Sequence, residues 1–329
     1  MGIFIKRIVS GLLLMLCCVG TFIFADVRMA HAAGAKQCIA LVSARTSDEY
    51  KAVWAAFQVE LSAKGVDAEY QEFWSKSITA ADYVAQRELI VKVKPTLLLV
   101  LGTEAAVFAQ KNMSDIPAVF AMVVNPRESG IVDAQGKTPQ HMAGVSLDVP
   151  IERQFAMIKE ILPQVKTVGM IYDAESKEWV REQAQAAANR LDLQLKSVGL
   201  KPPYDAVRVL TEDMKGVDLL WASIDPKIYN ANSAKEVLLS TMRMKLPFMA
   251  FSSKYVKAGA LVALECDYAG IGKQAADIAS SIFRGEDPAA VGVQTPLDIA
   301  FDINIRTAQL IRVRFADELV KRARQVYGE

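Results

Sequence analysis

Uninterrupted apolar runs, each about as long as one strand and each followed by a helical stretch, constrain this chain more than any other feature. QCIALVS, TLLLVLG and AVFAMVV appear in turn between residues 37 and 124, with amphipathic segments between them. A run without polar alternation belongs to a strand buried on both faces, as in a parallel sheet covered by helices. After the first run, Tyr50, Val53, Trp54, Phe57 and Leu61 share one face at helical spacing. VDAEYQEF alternates like a strand, residues 79–93 read as a helix, and TEAAVFAQK reads as another. Strands and helices in this alternation predict βαβ units.

The pattern restarts after the link HMAGVSLDVP. Helix IERQFAMIKEIL precedes strand TVGMIY, helix SKEWVREQAQAAANRL, strand LQLKSVGL, helical YDAVRVLTEDM, strand DLLWAS, a helix through SAKEVLLSTMRMK, and strand PFMAF. Two similar α/β halves are the predicted architecture, and 329 residues suit two domains of ordinary size. A 52% hydrophobic fraction with 23% charged residues marks a globular chain. Thirty-eight basic against 37 acidic residues leave a formal charge of +1, which gives no field for a polyanion and excludes nucleic acid as the expected partner.

The first 32 residues read as a secretory signal peptide. Lys6 and Arg7 form its positive end, Ile8 to Ala25 its apolar segment, and Ala30-His31-Ala32 a small-x-small cleavage pattern. An uncleaved anchor is the alternative, and both put the domain outside the cytoplasmic membrane. Beyond this leader two cysteines remain, Cys38 and Cys266. Both a bridge between them and two buried free thiols stay open.

The strands end on small and polar residues: Ser43-Ala44-Arg45, Gly102-Thr103-Glu104, Val124-Asn125-Pro126, Tyr172-Asp173, Ser223-Ile224-Asp225 and Phe251-Ser252-Ser253. In open parallel sheets, ligands bind beyond the carboxyl ends of the strands. Each loop taken singly also suits a helix cap or turn. Their recurrence at one end in both halves is what marks them as candidate ligand contacts.

Catalytic patterns are missing. His141, the one histidine beyond the leader, sits in the hydrophilic TPQHMAG loop. GIVDAQGKT has five residues between its glycines where a phosphate loop has four, and Pro139 follows it. No Gly-x-Gly-x-x-Gly follows the first strand, and Cys-x-x-Cys and Gly-x-Ser-x-Gly do not occur. No cofactor, metal site or catalytic residue is expected. SKEWVREQAQAAANR and the final VRFADELVKRARQVYGE read as solvated amphipathic helices.

Four segments resemble a known family: IPAVFAMVVNPRESGIV, MAGVSLDVPIERQFAMIKEILPQVKTVGMIYDAES, SSKYVKAGALVALECDYAGIGKQAADIASSIFRGEDP and DINIRTAQLI. They are similar to the extracytoplasmic substrate-binding components of ABC transporters, in the branch with tryptophan- and phenylalanine-binding members and a type I periplasmic binding protein fold. The resemblance implies two Rossmann-like lobes with parallel sheets and a ligand cleft between them. It also implies three crossovers, near Gly144 to Leu147, Leu264 to Asp267 and Val291 to Thr295. The lobes would then be residues 33–145 with 267–290 and residues 146–266 with 291–329.

The resemblance places a ligand carboxylate at Gly102-Thr103, where free amides and a helix dipole favour an anion. Glu104 stands where the family carries a small residue or proline, and pointed inward it would repel that carboxylate. Arg45 or Arg127 could pair with an acid. Asp173 or Asp225 would take an ammonium, with Tyr172 and Phe251 as apolar surface. Ser43, Asn125, Ser223, Ser252 and Asp267 complete the expected contacts.

The function so implied is capture of a small molecule by hinge closure and delivery, as a monomer, to a membrane permease. A sensory module that hands its ligand to a membrane receptor, or an extracytoplasmic α/β enzyme, are the alternatives.

Overall fold

The computed structural model describes residues 36–74, 80–133 and 135–328, so the leader lies outside the described residues. The chain divides into two compact units, Met1–Ser146 with Gly272–Gln294, and Leu147–Ile271 with Thr295–Glu329.

The first unit begins β1 (Gln37–Ser43), α1 (Asp48–Ala63), β2 (Ala68–Trp74), α2 (Ala80–Lys92), β3 (Leu97–Leu101), α3 (Thr103–Asn112), β4 (Ala118–Val123) and β5 (Met142–Ser146). The second continues with α4 (Ile151–Ile161), β6 (Thr167–Asp173), α5 (Glu178–Arg190), β7 (Gln194–Leu200), α6 (Ala206–Glu212) and β8 (Leu219–Trp221). Then come α7 (Ala231–Met244), β9 (Phe248–Ala250), α8 (Ser253–Ala258) and β10 (Val262–Cys266). The chain next runs through α9 (Tyr268–Phe283), α10 (Pro288–Val291) and β11 (Val293–Gln294), which return it to the first unit. It ends in the second with β12 (Ile299–Asn304), α11 (Ile305–Ile311), α12 (Asp317–Arg322) and β13 (Gln325–Tyr327). The second passage between units falls inside α9, between Ile271 and Gly272, one turn beyond the Leu264 to Asp267 stretch where the resemblance put it.

The first sheet has the order β11-β5-β4-β3-β1-β2, with every pairing parallel. Its apolar runs are explained by the two faces. Ala40 and Val42 of β1 join Leu98, Val100, Ala105 and Phe108 in a core against α3. Ile39 and Leu41 alternate with them, are fully buried, and so point to the opposite face, that of α1. There Val53, Phe57 and Leu61 are buried as the helical spacing predicts. A Cβ on Gly272 would meet the Val53 carbonyl at 2.3 Å, so α9 lies directly on α1 and only glycine fits.

The second sheet has the order β13-β12-β10-β9-β8-β6-β7. Val168, Met170 and Tyr172 of β6 and Leu219 and Trp221 of β8 enter one core with α4 and α5. Ile171, Leu220 and Ala222 enter another with α6 and α7. Only β12 runs against its neighbour β10. It is formed by the alternating sequence IAFDIN.

One expected element is corrected. The final amphipathic stretch is not a single helix: α12 spans six residues, Ala323 turns extended, and Gln325–Tyr327 pairs with β12 as the edge strand β13. Arg324 is the reason. Its guanidinium bonds Asp302 at 2.9 and 2.6 Å and Glu265 at 2.6 Å. Asp302 is fully buried, so a charge partner there outweighs one more helical turn.

Candidate functional site

Register fixes where the strand-end loops of the first unit lie. Ser43 pairs with Leu101, and Leu101 with Ala121, so Ser43–Arg45, Gly102–Glu104 and the end of β4 stand side by side along one sheet edge. Gly102 has φ 93° and ψ 161°, a conformation closed to side-chain-bearing residues, and this turns the chain straight from β3 into α3. The amides of the first turn of α3 have no intrahelical acceptor, and no side chain caps them at the positive end of the helix dipole. Tyr50 of α1 covers this corner: a Cβ on Gly102 would come within 2.9 Å of its hydroxyl. Burial pushes the Tyr50 hydroxyl pKa up, Arg45 opposes this, and Glu104 and Glu49 reinforce it.

Glu104 does not stand alone there. Arg45 Nη2 lies 3.4 Å from Glu104 Oε1, with both side chains largely exposed. The pairing sets a positive charge beside the Glu104 carboxylate and so offsets part of its charge. Ser43 is fully buried, its hydroxyl donating to the Arg45 carbonyl at 2.9 Å, so it shapes the loop that carries Arg45. Neighbouring β4 ends irregularly: its register with β5 shifts between Phe120 and Val123, and Met122 and Asn125 adopt φ of 59° and 49°. Left-handed backbone at two non-glycine residues is strain kept at this edge. Asn125 tolerates it because its side chain bonds locally, accepting the Glu128 N–H at 3.4 Å.

The second unit arranges its own edge differently. Asp173 is fully buried, and every acceptor direction is used. Lys227 Nζ and Ser176 Oγ each donate to Oδ2 at 2.5 Å, while Tyr204 Oη and the Glu175 N–H donate to Oδ1 at 3.2 and 3.3 Å. Burial pushes this carboxyl up, but the bonds from Lys227, Ser176 and Glu175 outweigh it and bring the pKa down to about 2. Asp225, 1% exposed, accepts the Asp173 N–H at 2.9 Å and the Lys227 and Ile228 N–H groups at 3.2 and 3.3 Å. The protein's own Lys227 thus takes the cation position at Asp173, and three backbone amides bond Asp225.

The aromatic residues pack within the second unit. Tyr172 is buried in the core with α5, and its hydroxyl donates to Glu178 at 2.7 Å. Burial first, then that bond, raise its pKa to about 12. It therefore faces the core rather than the loops. Phe251 is half-buried against Tyr255 and Tyr229, with ring centroids 4.7 and 6.1 Å apart. Ser223 is 92% buried, from 8% exposure, and its hydroxyl has no partner among the described residues. Ser252 precedes α8 without capping it, while the next N–H, of Ser253, donates to Glu265 at 2.7 Å. Asp267 is exposed and accepts the Gly270 N–H at 2.8 Å, opening α9.

Tyr50 and Lys227 are the residues at these edges that sequence reasoning missed. Tyr50 fits a helix core position, and Lys227 lies 54 residues from the acid that it neutralises. His141 is half-buried and holds the Ala109 carbonyl at 3.4 Å, so it is packed rather than solvated. Burial lowers its pKa, with opposing contributions from that carbonyl and Asp115. Cys38 and Cys266 are free and buried, one in each unit. The Cys266 thiol donates to the Leu147 carbonyl at 3.2 Å, and burial pushes it up to about 12. Among the described residues no cluster of metal-ligating side chains occurs, and no helix is long and apolar enough to cross a membrane.

The family model described as ABC transporter substrate binding protein matches residues 39–327, which takes in both sheets and every strand-end loop above. The chain belongs to this family. Members are extracytoplasmic solute-binding proteins, and the fold is that of type I periplasmic binding proteins. This substrate-binding protein is similar to a tyrosine-binding protein of Clostridioides difficile (strain R20291), 24% identical over 224 residues and 67% of the present chain. The match spans 64% of that curated relative's length. Two solved structures share the fold. One is an ABC domain in complex with L-Trp from Streptococcus pneumonia, with TM-score 0.60, 22% identity, and coverage of 89% of this chain and 100% of that one. The other is a ligand-free, open substrate-binding protein with adhesive properties from Clostridium difficile, with TM-score 0.70, 20% identity and the same coverage.

Proposed function

We propose that this substrate-binding protein captures a small carboxylate-bearing solute, an aromatic amino acid first among them, and delivers it to an ABC transporter permease. The uncapped first turn of α3 behind Gly102 carries this reading. It offers amides and dipole to an anion, with Arg45 adjacent. The names of the relatives, one tyrosine-binding and one seen with L-Trp, supply the side-chain class. Contacts from the loops of both units would favour a closed state that the permease recognises, by population shift and without chemistry. Because Asp173 and Asp225 are engaged, the ligand ammonium is assigned to Glu104 or Asp267, whose carboxylates are more exposed.

The test is thermal unfolding of residues 33–329 against amino acids, small acids, nucleosides and sugars. A ligand held only by the native state stabilises it by about 2.7 kcal/mol at one hundred times its Kd and so raises the midpoint. A rise with L-tyrosine, L-tryptophan or L-phenylalanine is expected. Thr103→Val should weaken that binding and leave the unliganded melting point in place. A rise confined to sugars or nucleosides would overturn the ligand class.

A further inference from the structure

Trp74 ends β2, outside every loop considered so far, yet it stands in the same row. In the parallel register Ser43 pairs with Trp74 on one side and with Leu101 on the other. Trp74, Ser43 and the corner at Gly102 therefore lie on three neighbouring strands at one level. With strands about 4.8 Å apart, Trp74 is roughly 10 Å across the edge from the α3 corner.

The side on which Trp74 projects follows from its neighbours. Tyr70, Glu72 and Trp74 alternate along β2 and share a face. That face is the one covered by α1, because Trp54 of α1 stands edge-on to Tyr70 at 5.2 Å and its indole N–H donates to Glu72 Oε1 at 2.9 Å. Tyr50, one turn earlier on α1, covers Gly102. The α1 face of this edge thus carries Tyr50 above the end of β3 and Trp74 beside the end of β1.

Trp74 is also fixed. Its indole N–H donates to Glu72 Oε2 at 2.5 Å, so the two oxygens of one carboxylate hold two tryptophans, one from the helix and one from the strand. Trp54 is 5% exposed and serves the core, whereas Trp74 is only half-buried at the rim. A packed indole needs no carboxylate to anchor it at a sheet edge. An indole that must present a ring face in one orientation gains from having that orientation set before anything binds.

We propose that Trp74, oriented by Glu72, is a specificity-determining residue of the solute seat, the wall against which a planar aromatic side chain stacks. This rests on the reading that the protein binds a carboxylate-bearing solute at the α3 corner. A solute whose carboxylate lies on those amides and whose ring extends across β1 reaches Trp74 at offset-stacking distance, about 4.5–7 Å between centroids. Glu72 is a positioning residue: it touches the indole and not the solute.

Isothermal titration of wild type, Trp74→Phe, Trp74→Leu, Trp74→Ala and Glu72→Ala with L-tyrosine, L-tryptophan and L-leucine tests this, alongside thermal melts without ligand. The expected result is about a tenfold loss of affinity for the aromatic probes in Trp74→Leu and Trp74→Ala. Trp74→Phe should hold within about threefold, and any leucine affinity should not change. Glu72→Ala should fall between them and lose discrimination between aromatic and aliphatic probes. Trp74→Leu keeps an apolar side chain at the rim, so it reports even where the alanine variant fails to fold. Equal aromatic affinity in wild type and Trp74→Leu overturns the role of Trp74 and leaves the solute-binding reading standing. Failure of wild type to bind either aromatic probe overturns the aromatic reading itself, and the Trp74 role with it.

Discussion

The two units bring the same kind of sheet edge to opposite electrostatic ends. At the α3 corner of the first unit, a glycine leaves a helix start uncapped, and the nearby charges, Arg45 and Glu104, are exposed and loosely paired. At the ends of β6 and β8 in the second, two buried aspartates are bonded by Lys227, Ser176, Tyr204 and backbone amides, and the Ser223 hydroxyl alone among the polar groups described there lacks a partner. One edge keeps hydrogen-bonding capacity in reserve, while the other uses most of its own internally. An edge that offers unmet donors suits recognition of an incoming group. A saturated one suits holding loops rigid, since half-satisfied buried polar groups are costly.

Substitutions can break that contrast, most strongly where burial is deepest. Arg324→Ala should leave Asp302 as an uncompensated buried charge and lower the stability of the second unit by about 3 kcal/mol or more, measured by urea unfolding. It should also release β13 from β12, which hydrogen exchange at residues 325–327 would show. Asp173→Ala comes next, at about 2–3 kcal/mol, because Lys227, Ser176 and Tyr204 lose their common acceptor. If the loss were below about 0.5 kcal/mol, this cluster would not be the saturated framework described here.

Gly102→Ala would attack the open edge instead. The positive φ and the Tyr50 hydroxyl both resist a Cβ, and a cost of about 1–2 kcal/mol is expected together with weaker ligand binding. The Arg45–Glu104 pair ranks last. As an exposed ion pair it should contribute under about 1 kcal/mol, so Glu104→Ala should barely move the melting point while changing the affinity for a carboxylate ligand.

Acid sharpens the comparison further. Asp173 has its folded pKa depressed to about 2, below its ordinary value of 3.8. Its contribution to stability is therefore complete above the ordinary value and is lost as pH falls from about 4 through about 2. In Asp173→Asn, stability of the second unit should depend less on pH across that window, as acid titration followed by circular dichroism would report.

Much of the fold was legible because the strands advertise their burial. AVFAMVV is apolar throughout since every residue of β4 is buried, Phe120 within the core against α3. The polar endings were legible too, as positions. Their chemistry was not. Asp173 looks in sequence like an available carboxylate, and only the fold brings Lys227, Ser176 and Tyr204 onto it. Trp74 remained hidden because its place at the edge depends on the pairing register of β1 with β2, which alternation does not encode. The last segment misled through its own amphipathic pattern, since DELVKR does form a helix before Arg324 is drawn into the sheet.

The interleaving of the chain has a temporal side. The first unit's sheet receives its edge strand β11 at Val293, 147 residues after β5 ends at Ser146 (293 − 146 = 147). At a synthesis rate of about 5–20 residues per second, that sheet waits roughly 7–30 s for its final strand. The second sheet waits a shorter time, since β12 begins at Ile299, 33 residues after β10 ends at Cys266 (299 − 266 = 33). The first half is complete only at Gln294 and the second only with β13, so a nascent chain stays incompletely folded until nearly all of it exists. For a protein that works outside the membrane, such lateness keeps the polypeptide threadable for the length of its own translation.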